Sequence, residues 1–342
     1  MKNAKSHSRR MMLETELRKA GVEPLVQEMN NGFEIKIPLY NENFLSGETY
    51  AASPLISETL SHREKRMIVI DLSLFVMRLS QQLIFYTQDN KKDLLKSEED
   101  YVAFSFLQRS SISHICNYKL SFEGITAERY GIEFPILDEY KTMSLTRSLY
   151  EHLAMFYYLF CYSDSANQQE IIWSSWKLGS KKNLLKNNIQ GFDSEKKNAR
   201  IEVEELKQKI RQDELVQKCI SNPDGQFEYC LNSGSVFTIV KKGEAYVAEK
   251  LTYDKAWKYL YGDLNNIMYK YFSLHSHPTY KGLADFNNQQ DENIEFSLYE
   301  SCRFLACLCK LFMKYLKIDA HIITNTLSIR EQGIFSRLSN WI

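Results

Sequence analysis

Apolar residues return at three- and four-residue steps over most of this chain, the spacing of one buried helix face. From Ser57 the pattern predicts a helix to about Tyr86, with Met67, Ile70, Leu74, Met77 and Leu79 at core positions. Ser97-Glu98-Glu99-Asp100 supplies a capping oxygen followed by first-turn acids, so a second helix is expected from there to about Asn117, with Ser110-Ser111 as a point of bending. A loop is expected over 119–137, ending near Pro135. A strongly apolar central helix follows over about 138–162, and another over 168–187. Further helices are expected at about 253–276 and 290–316, and a short one at the C-terminus.

Two-residue alternation is rarer. Phe33-Glu34-Ile35-Lys36-Ile37 alternates apolar with polar and predicts a short strand, which Pro38 limits to an edge or an end. Val236 to Val240 and Ala245 to Val247 flank Gly243 and predict a hairpin at 235–248. His321-Ile322-Ile323 is read as extended. Residues 193–220 are densely charged with sparse apolar positions, which predicts a solvent-exposed helix and a face for a protein partner. The expected fold is mainly α: a mixed N-terminal segment at 1–56, a helical bundle at 57–316 with 193–220 and 235–248 as insertions, and a tail at 317–342.

Composition sharpens this picture in two places. Gly (13) and Pro (6) are scarce in 342 residues, which favours long helices over many turns. Acidic and basic residues balance at 43 each, so no global field draws the chain to nucleic acid or an anionic membrane. Met67 to Met77 is apolar but too short for a membrane span and is interrupted by Asp71. The N-terminus has no secretory pattern. The seven cysteines follow no zinc spacing and read as free thiols of a reducing cytosol. The chain is therefore expected to be cytoplasmic, with no membrane contact and no cofactor.

Candidate chemistry concentrates at Arg147-Ser148-Leu149-Tyr150-Glu151-His152, near the start of the central helix. An Arg, four residues and a His resembles the motif of the HEPN ribonucleases. The resemblance implies a metal-independent endoribonuclease, in the setting of bacterial stress, phage defence or toxin–antitoxin systems. It also implies RNA as substrate and a site at a homodimer interface. In that scheme Arg147 holds phosphate, His152 is the acid or base, and Tyr150 and Glu151 orient them; His275 or His277 supplies a second acid or base. The residue types suit the task, since His titrates near neutrality and Arg grips phosphate in bidentate fashion.

The helical wheel opposes a simple version of this site. Arg147 and Glu151 are neighbours one turn apart, whereas His152 lies about 140° away from Arg147. The competing reading is an Arg147–Glu151 pair with a buried His152, in a non-catalytic helical module that binds a protein or small ligand.

A second unusual stretch runs Tyr269-Lys270-Tyr271-Phe272-Ser273-Leu274-His275-Ser276-His277-Pro278. His275 continues the apolar stripe of its helix, and Pro278 disfavours helix at His277. Arg147-x-x-Tyr150-Glu151 on one helix, with this tyrosine, serine and His-Pro ending on another, resembles a widespread bacterial family known only as a domain of unknown function. That resemblance covers about 140–285 and implies a bundle in which these polar residues meet. Glu151, His152, His275 and His277 are acceptable metal ligands by type, but they lack the helical His-x-x-x-His or Glu-x-x-His spacing. Trp173, Trp176, Lys177, Lys181, Lys182 and Lys186 mix aromatic and basic groups, the pairing that grips single-stranded nucleic acid, although an amphipathic helix with a basic face has the same composition.

Overall fold

The computed structural model describes residues 25–29, 32–36, 61–122, 125–129, 132–136, 139–187, 193–221, 226–261, 267–275, 291–324 and 326–339. The chain divides into two compact units, 1–74 and 75–342. Among the described residues it is mainly α, with thirteen helices and three two-stranded antiparallel hairpins.

In the first unit, β1 (Leu25–Met29) pairs with β2 (Gly32–Lys36), setting Val26 opposite Ile35. The strand expected at 33–37 is present over 33–36 as one arm of this hairpin, and Ile37 lies outside the described residues. Helix α1 (His62–Asp89), whose residues from Phe75 onward belong to the second unit, begins at a reciprocal cap. The Ser61 N–H donates to Glu64 Oε2 at 2.8 Å, and the Glu64 N–H donates to Ser61 Oγ at 3.3 Å. The residues around Ser57, the expected cap, lie outside the described set. By length and composition Arg63–Asp89 qualifies as a membrane span, which the shorter 67–77 window did not suggest. Half of its most apolar stretch is buried within the protein.

In the second unit the short α2 (Lys91–Leu94) leads to α3 (Glu98–Phe122). The expected cap forms: the Asp100 N–H donates to Ser97 Oγ at 3.2 Å, and Asp100 Oδ2 accepts the Ser97 N–H at 2.9 Å. The helix runs through Ser110-Ser111 without a break, because both hydroxyls bond to neighbouring helices rather than to the turn. The predicted loop at 119–137 is instead the end of α3 followed by a hairpin, β3 (Ile125–Arg129) with β4 (Ile132–Ile136). Pro135 is accommodated because each strand of a two-stranded sheet has an unpaired edge.

The core of this unit is built by α3, α4 (Glu139–Phe160) and α11 (Asp291–Tyr315), each packed on the other two. Leu107, Leu153, Phe156, Leu305 and Phe312 are fully buried there. Hydroxyl and amide groups cross the same interior. Asn117 Nδ2 donates to Thr146 Oγ1 at 2.8 Å, Thr146 and Ser297 share a hydroxyl bond at 2.7 Å, and His114 Nδ1 meets Ser301 Oγ at 2.8 Å. Ser80 and Ser111 join at 2.9 Å. Helices α9 (Tyr253–Tyr261) and α10 (Ile267–His275) pack on α4.

Between α4 and α9 the chain builds a lobe with its own apolar core. It comprises α5 (Ala166–Lys186), α6 (Asp193–Gln212), α7 (Glu214–Ile220), α8 (Gln226–Ser233), β5 (Phe237–Lys242) and β6 (Ala245–Lys250). Ile171, Leu178, Val203, Ile210, Phe237 and Ile239 meet in its interior. Residues 193–220 are therefore not one exposed helix. Asp213 caps a new helix by accepting the Leu215 N–H at 2.8 Å, and the sparse apolar positions Val203, Ile210 and Val216 are buried as a stripe. The charges lie outward and along the edge of the α5 contact, where Glu202 pairs with Lys181 and Lys209 with Glu170. The expected 235–248 hairpin is present, with Gly243 in the left-handed region at φ 63°.

The lobe returns to the bundle at Thr252 and Tyr253. Tyr158 Oη donates to the Thr252 carbonyl at 2.8 Å, and Tyr150 Oη donates to the Tyr253 carbonyl. At the C-terminus, 320–324 is a short helix, α12 (Ala320–Thr324), rather than extended chain, as the Ile322 N–H donates back to the Asp319 carbonyl. Helix α13 (Ile329–Leu338) packs on α11 and buries Ile334, Phe335 and Leu338.

Candidate functional site

Helix α4 presents its motif residues in different directions, as 100° per residue requires. Arg147 and Glu151 stand one turn apart, and Arg147 Nε donates to Glu151 Oε1 at 2.9 Å. Tyr269 of α10 donates its hydroxyl to the same oxygen at 3.2 Å. Its ring also lies beneath the guanidinium, 5.5 Å from centroid to carbon, so cation–π attraction reinforces the ion pair. Burial weakens the Arg147 charge, but Glu151 and Tyr269 outweigh burial and hold its pKa above the usual arginine value. Burial and then the Glu151 charge raise the phenol pKa of Tyr269; the same two causes push that of Tyr253 up to about 12. Both phenols stay protonated at neutral pH. Arg147 and Glu151 each keep about a quarter of their side-chain surface in solvent.

Tyr150 lies on the inner side of the cluster. It is fully buried, with ring centroids 5.2 Å from Trp257, 5.1 Å from Tyr269 and 5.5 Å from Phe304. Its hydroxyl is used on the Tyr253 carbonyl. Tyr150 thus sets the floor on which Tyr269 and α9 rest, and Glu151 is the motif residue that bonds to Arg147.

His152 turns toward α3. Its Nδ1 lies 3.1 Å from Ser110 Oγ, and its ring meets Phe106 edge-on at 5.9 Å. Burial, then repulsion from Arg109, lowers its pKa below the usual histidine value, against the pull of Glu151. Arg147 and His152 therefore occupy different faces of α4, as the wheel requires. His275 closes α10; its side chain, and all of His277, lie outside the described residues.

The basic stretch on α5 is largely engaged within the fold. Lys177 pairs with Glu98 at 2.8 Å and Lys181 with Glu202, while Lys182 donates to the Leu231 and Asn232 carbonyls at 2.8 Å each. Trp173 is buried and packs on Trp176 at 5.4 Å. These contacts belong to the amphipathic-helix reading. Among the described residues, no group of three or more His, Cys, Asp or Glu side chains converges as for a metal.

No local sequence signal marks Tyr253 or Arg109, because each reaches α4 from a remote helix. Tyr269 stands out only within an unusual run, and the Tyr–Glu–Arg contact needs the packing of α10 on α4.

This arrangement, a carboxylate on one helix gripped by an arginine of that helix and a tyrosine of another, falls within a recognised sequence span. Residues 138–294 match DUF5677, a family of unknown function. The DUF5677 match opens at the start of α4 and closes within the first turn of α11, so it contains Arg147, Tyr150, Glu151, Tyr269 and the whole lobe. No curated protein and no solved structure matches the chain.

Proposed function

We propose that this chain acts by binding rather than by catalysis, as a helical module whose polar cluster organises α4, α9 and α10. The observation that carries this reading is the closure of Arg147 on Glu151 and Tyr269, with His152 turned away toward Ser110 and Phe106. A metal-free ribonuclease needs its cation and its proton carrier at one phosphate. Here the cation is neutralised by a carboxylate at 2.9 Å and the imidazole serves another face. The outer surface of the lobe is the contact face for a protein partner. Ile201 of α6 and Tyr229 of α8 are 55% and 67% exposed there, large apolar side chains in a charged setting.

One observation favours the ribonuclease as a second reading. His152 keeps some solvent exposure, and Arg109 lies close enough to lower its pKa, so an Arg–His pair exists across two helices. The deciding experiment is RNA cleavage in EDTA by wild type, Arg109→Ala, Arg147→Ala and His152→Ala, each verified as folded. Binding without catalysis predicts no cleavage above background by the wild type. Cleavage by the wild type that is lost in His152→Ala replaces this reading with the ribonuclease. The partner of His152 is then identified by whichever arginine variant is also inactive.

A further inference from the structure

Away from the Arg147 cluster, Tyr157 and Tyr162 at the end of α4 meet Tyr259 of α9. Their ring centroids are 6.0 Å (157 to 162), 5.3 Å (162 to 259) and 6.4 Å (157 to 259) apart. The planes of Tyr157 and Tyr259 lie within 31° of each other. Tyr162 stands across both, at 88° and 80°. Three aromatic rings thus converge at one place on the surface. Tyr158, anchored through the Thr252 carbonyl, packs against Tyr157 and Tyr162 and fixes them. The group is open to water, since Tyr259 is 49% exposed and the other two are half-buried.

This protein covers several other rings with its own cations: Lys177 over Trp173, Lys218 over Tyr246, Lys91 over Tyr101 and Arg147 over Tyr269. Among the described residues, no cation lies over Tyr157, Tyr162 or Tyr259. A positive group seated over the triangle of centroids comes within the about 6 Å that cation–π attraction reaches from all three. The surrounding charge selects the kind of cation. Glu249, whose charge acts on Tyr162 and Tyr158, is already held by Lys255 at 2.8 Å and Lys242 at 3.1 Å. Among the described residues acting on Tyr157, Tyr162 and Tyr259, a strongly hydrated ammonium or metal ion finds no open carboxylate to replace its water. A methylated cation, weakly hydrated and apolar on its surface, needs only the ring faces.

We propose that Tyr157, Tyr162 and Tyr259 form a binding site for the quaternary ammonium group of a small molecule. The site is separate from the Arg147 cluster and does not depend on how that cluster functions. The test is titration of the full chain with choline and tetramethylammonium, followed by calorimetry and by the ring-proton resonances of the tyrosines. The control ligand is 3,3-dimethylbutanol, the uncharged analogue of choline. Saturable binding is expected, with choline about tenfold or more tighter than the neutral analogue, as a cation–π contribution near 1.4 kcal/mol requires. Tyr259→Ala, a change at a half-exposed residue, is expected to weaken choline about tenfold, while Tyr259→Phe keeps the ring face and affinity within about threefold. Absence of saturable binding overturns the proposal. So does equal affinity for the neutral analogue, or undiminished affinity in a folded Tyr259→Ala variant.

Discussion

The bundle and the lobe solve the same packing problem with different materials. The interior of the bundle is crossed by Ser80–Ser111, Asn117–Thr146–Ser297 and His114–Ser301 hydrogen bonds. The lobe closes on aliphatic and aromatic side chains, with Ile171, Leu178, Val203, Phe237 and Ile239 at its centre. Hydrophobic burial is non-directional, so the lobe draws stability from area and shape. Buried hydrogen bonds add little net energy but penalise every misaligned register, because a shifted helix leaves polar groups unpaired. The bundle, which carries the Arg147 cluster, is the part where register matters most.

The contrast is broken most severely in the lobe. Phe237→Ala, which empties a fully buried ring position, is expected to cost about 4 kcal/mol in urea denaturation. Gly179→Ala comes next. A methyl group there falls inside van der Waals contact of the Gly234 carbonyl oxygen, and Gly234 cannot easily retreat because it holds a φ of 70°. About 2 to 3 kcal/mol is expected, with α8 and β5 losing hydrogen-exchange protection before α4.

In the bundle, Thr146→Val keeps the shape but strips the Asn117 amide and the Ser297 hydroxyl of their shared partner. It should destabilise by about 1 to 2 kcal/mol, and the combined Asn117→Leu, Thr146→Val, Ser297→Ala variant should recover most of that loss. If the triple variant is no more stable than Thr146→Val alone, the hydroxyls are not acting as a paired set. Glu151→Gln weakens an i,i+4 pair that is about a quarter exposed and is expected to cost only about 0.5 kcal/mol. The smallest effect is read from pH. The folded-state pKa of His152 lies below its unfolded value of 6.5, so the unfolded chain takes up the proton first. The stability this group preserves is complete above that value and falls as pH drops through and below it. His152→Gln should therefore flatten the decline in melting temperature between neutral and mildly acid solution, relative to wild type.

Helix existence and type were legible wherever an apolar stripe and a cap agreed, as at Ser97 with Asp100 and along 139–160. The misreadings share one cause: the sequence shows polarity, and polarity does not say what lies opposite. Charge density at 193–220 hid the buried apolar residues Val203, Ile210 and Val216, because only the lobe reveals the surface they meet. Ser110 and Ser111 read as a point of bending because their partners, His152 and Ser80, are far along the chain. The hairpin at 125–136 is hard to read because Pro135 sits inside the alternation of Ile132, Phe134 and Ile136, and β3 offers only Ile125 and Ala127 as alternating apolar positions. At the site, the Arg147–Glu151 pair followed from i,i+4 spacing, and the separation of His152 followed from the wheel. Tyr253 and Arg109 could not be found this way, since no local rule brings α9 or α3 to α4.

The grip of Tyr158 and Tyr150 on the carbonyls of Thr252 and Tyr253 has a consequence for how such a chain can be edited. The two tyrosines are two turns apart on one helix, and the carbonyls they hold are consecutive. The lobe therefore leaves α4 at one end and is received back along the same helix, at a landing fixed by the bundle itself. A segment with its exit and re-entry anchored like this is a cassette beyond its first helix: α5 belongs to the bundle through Trp173 on Phe160, Trp176 on Phe106 and Gln169 on the Tyr158 carbonyl, so trimming or exchange is expected to be tolerated between Lys186 and Leu251.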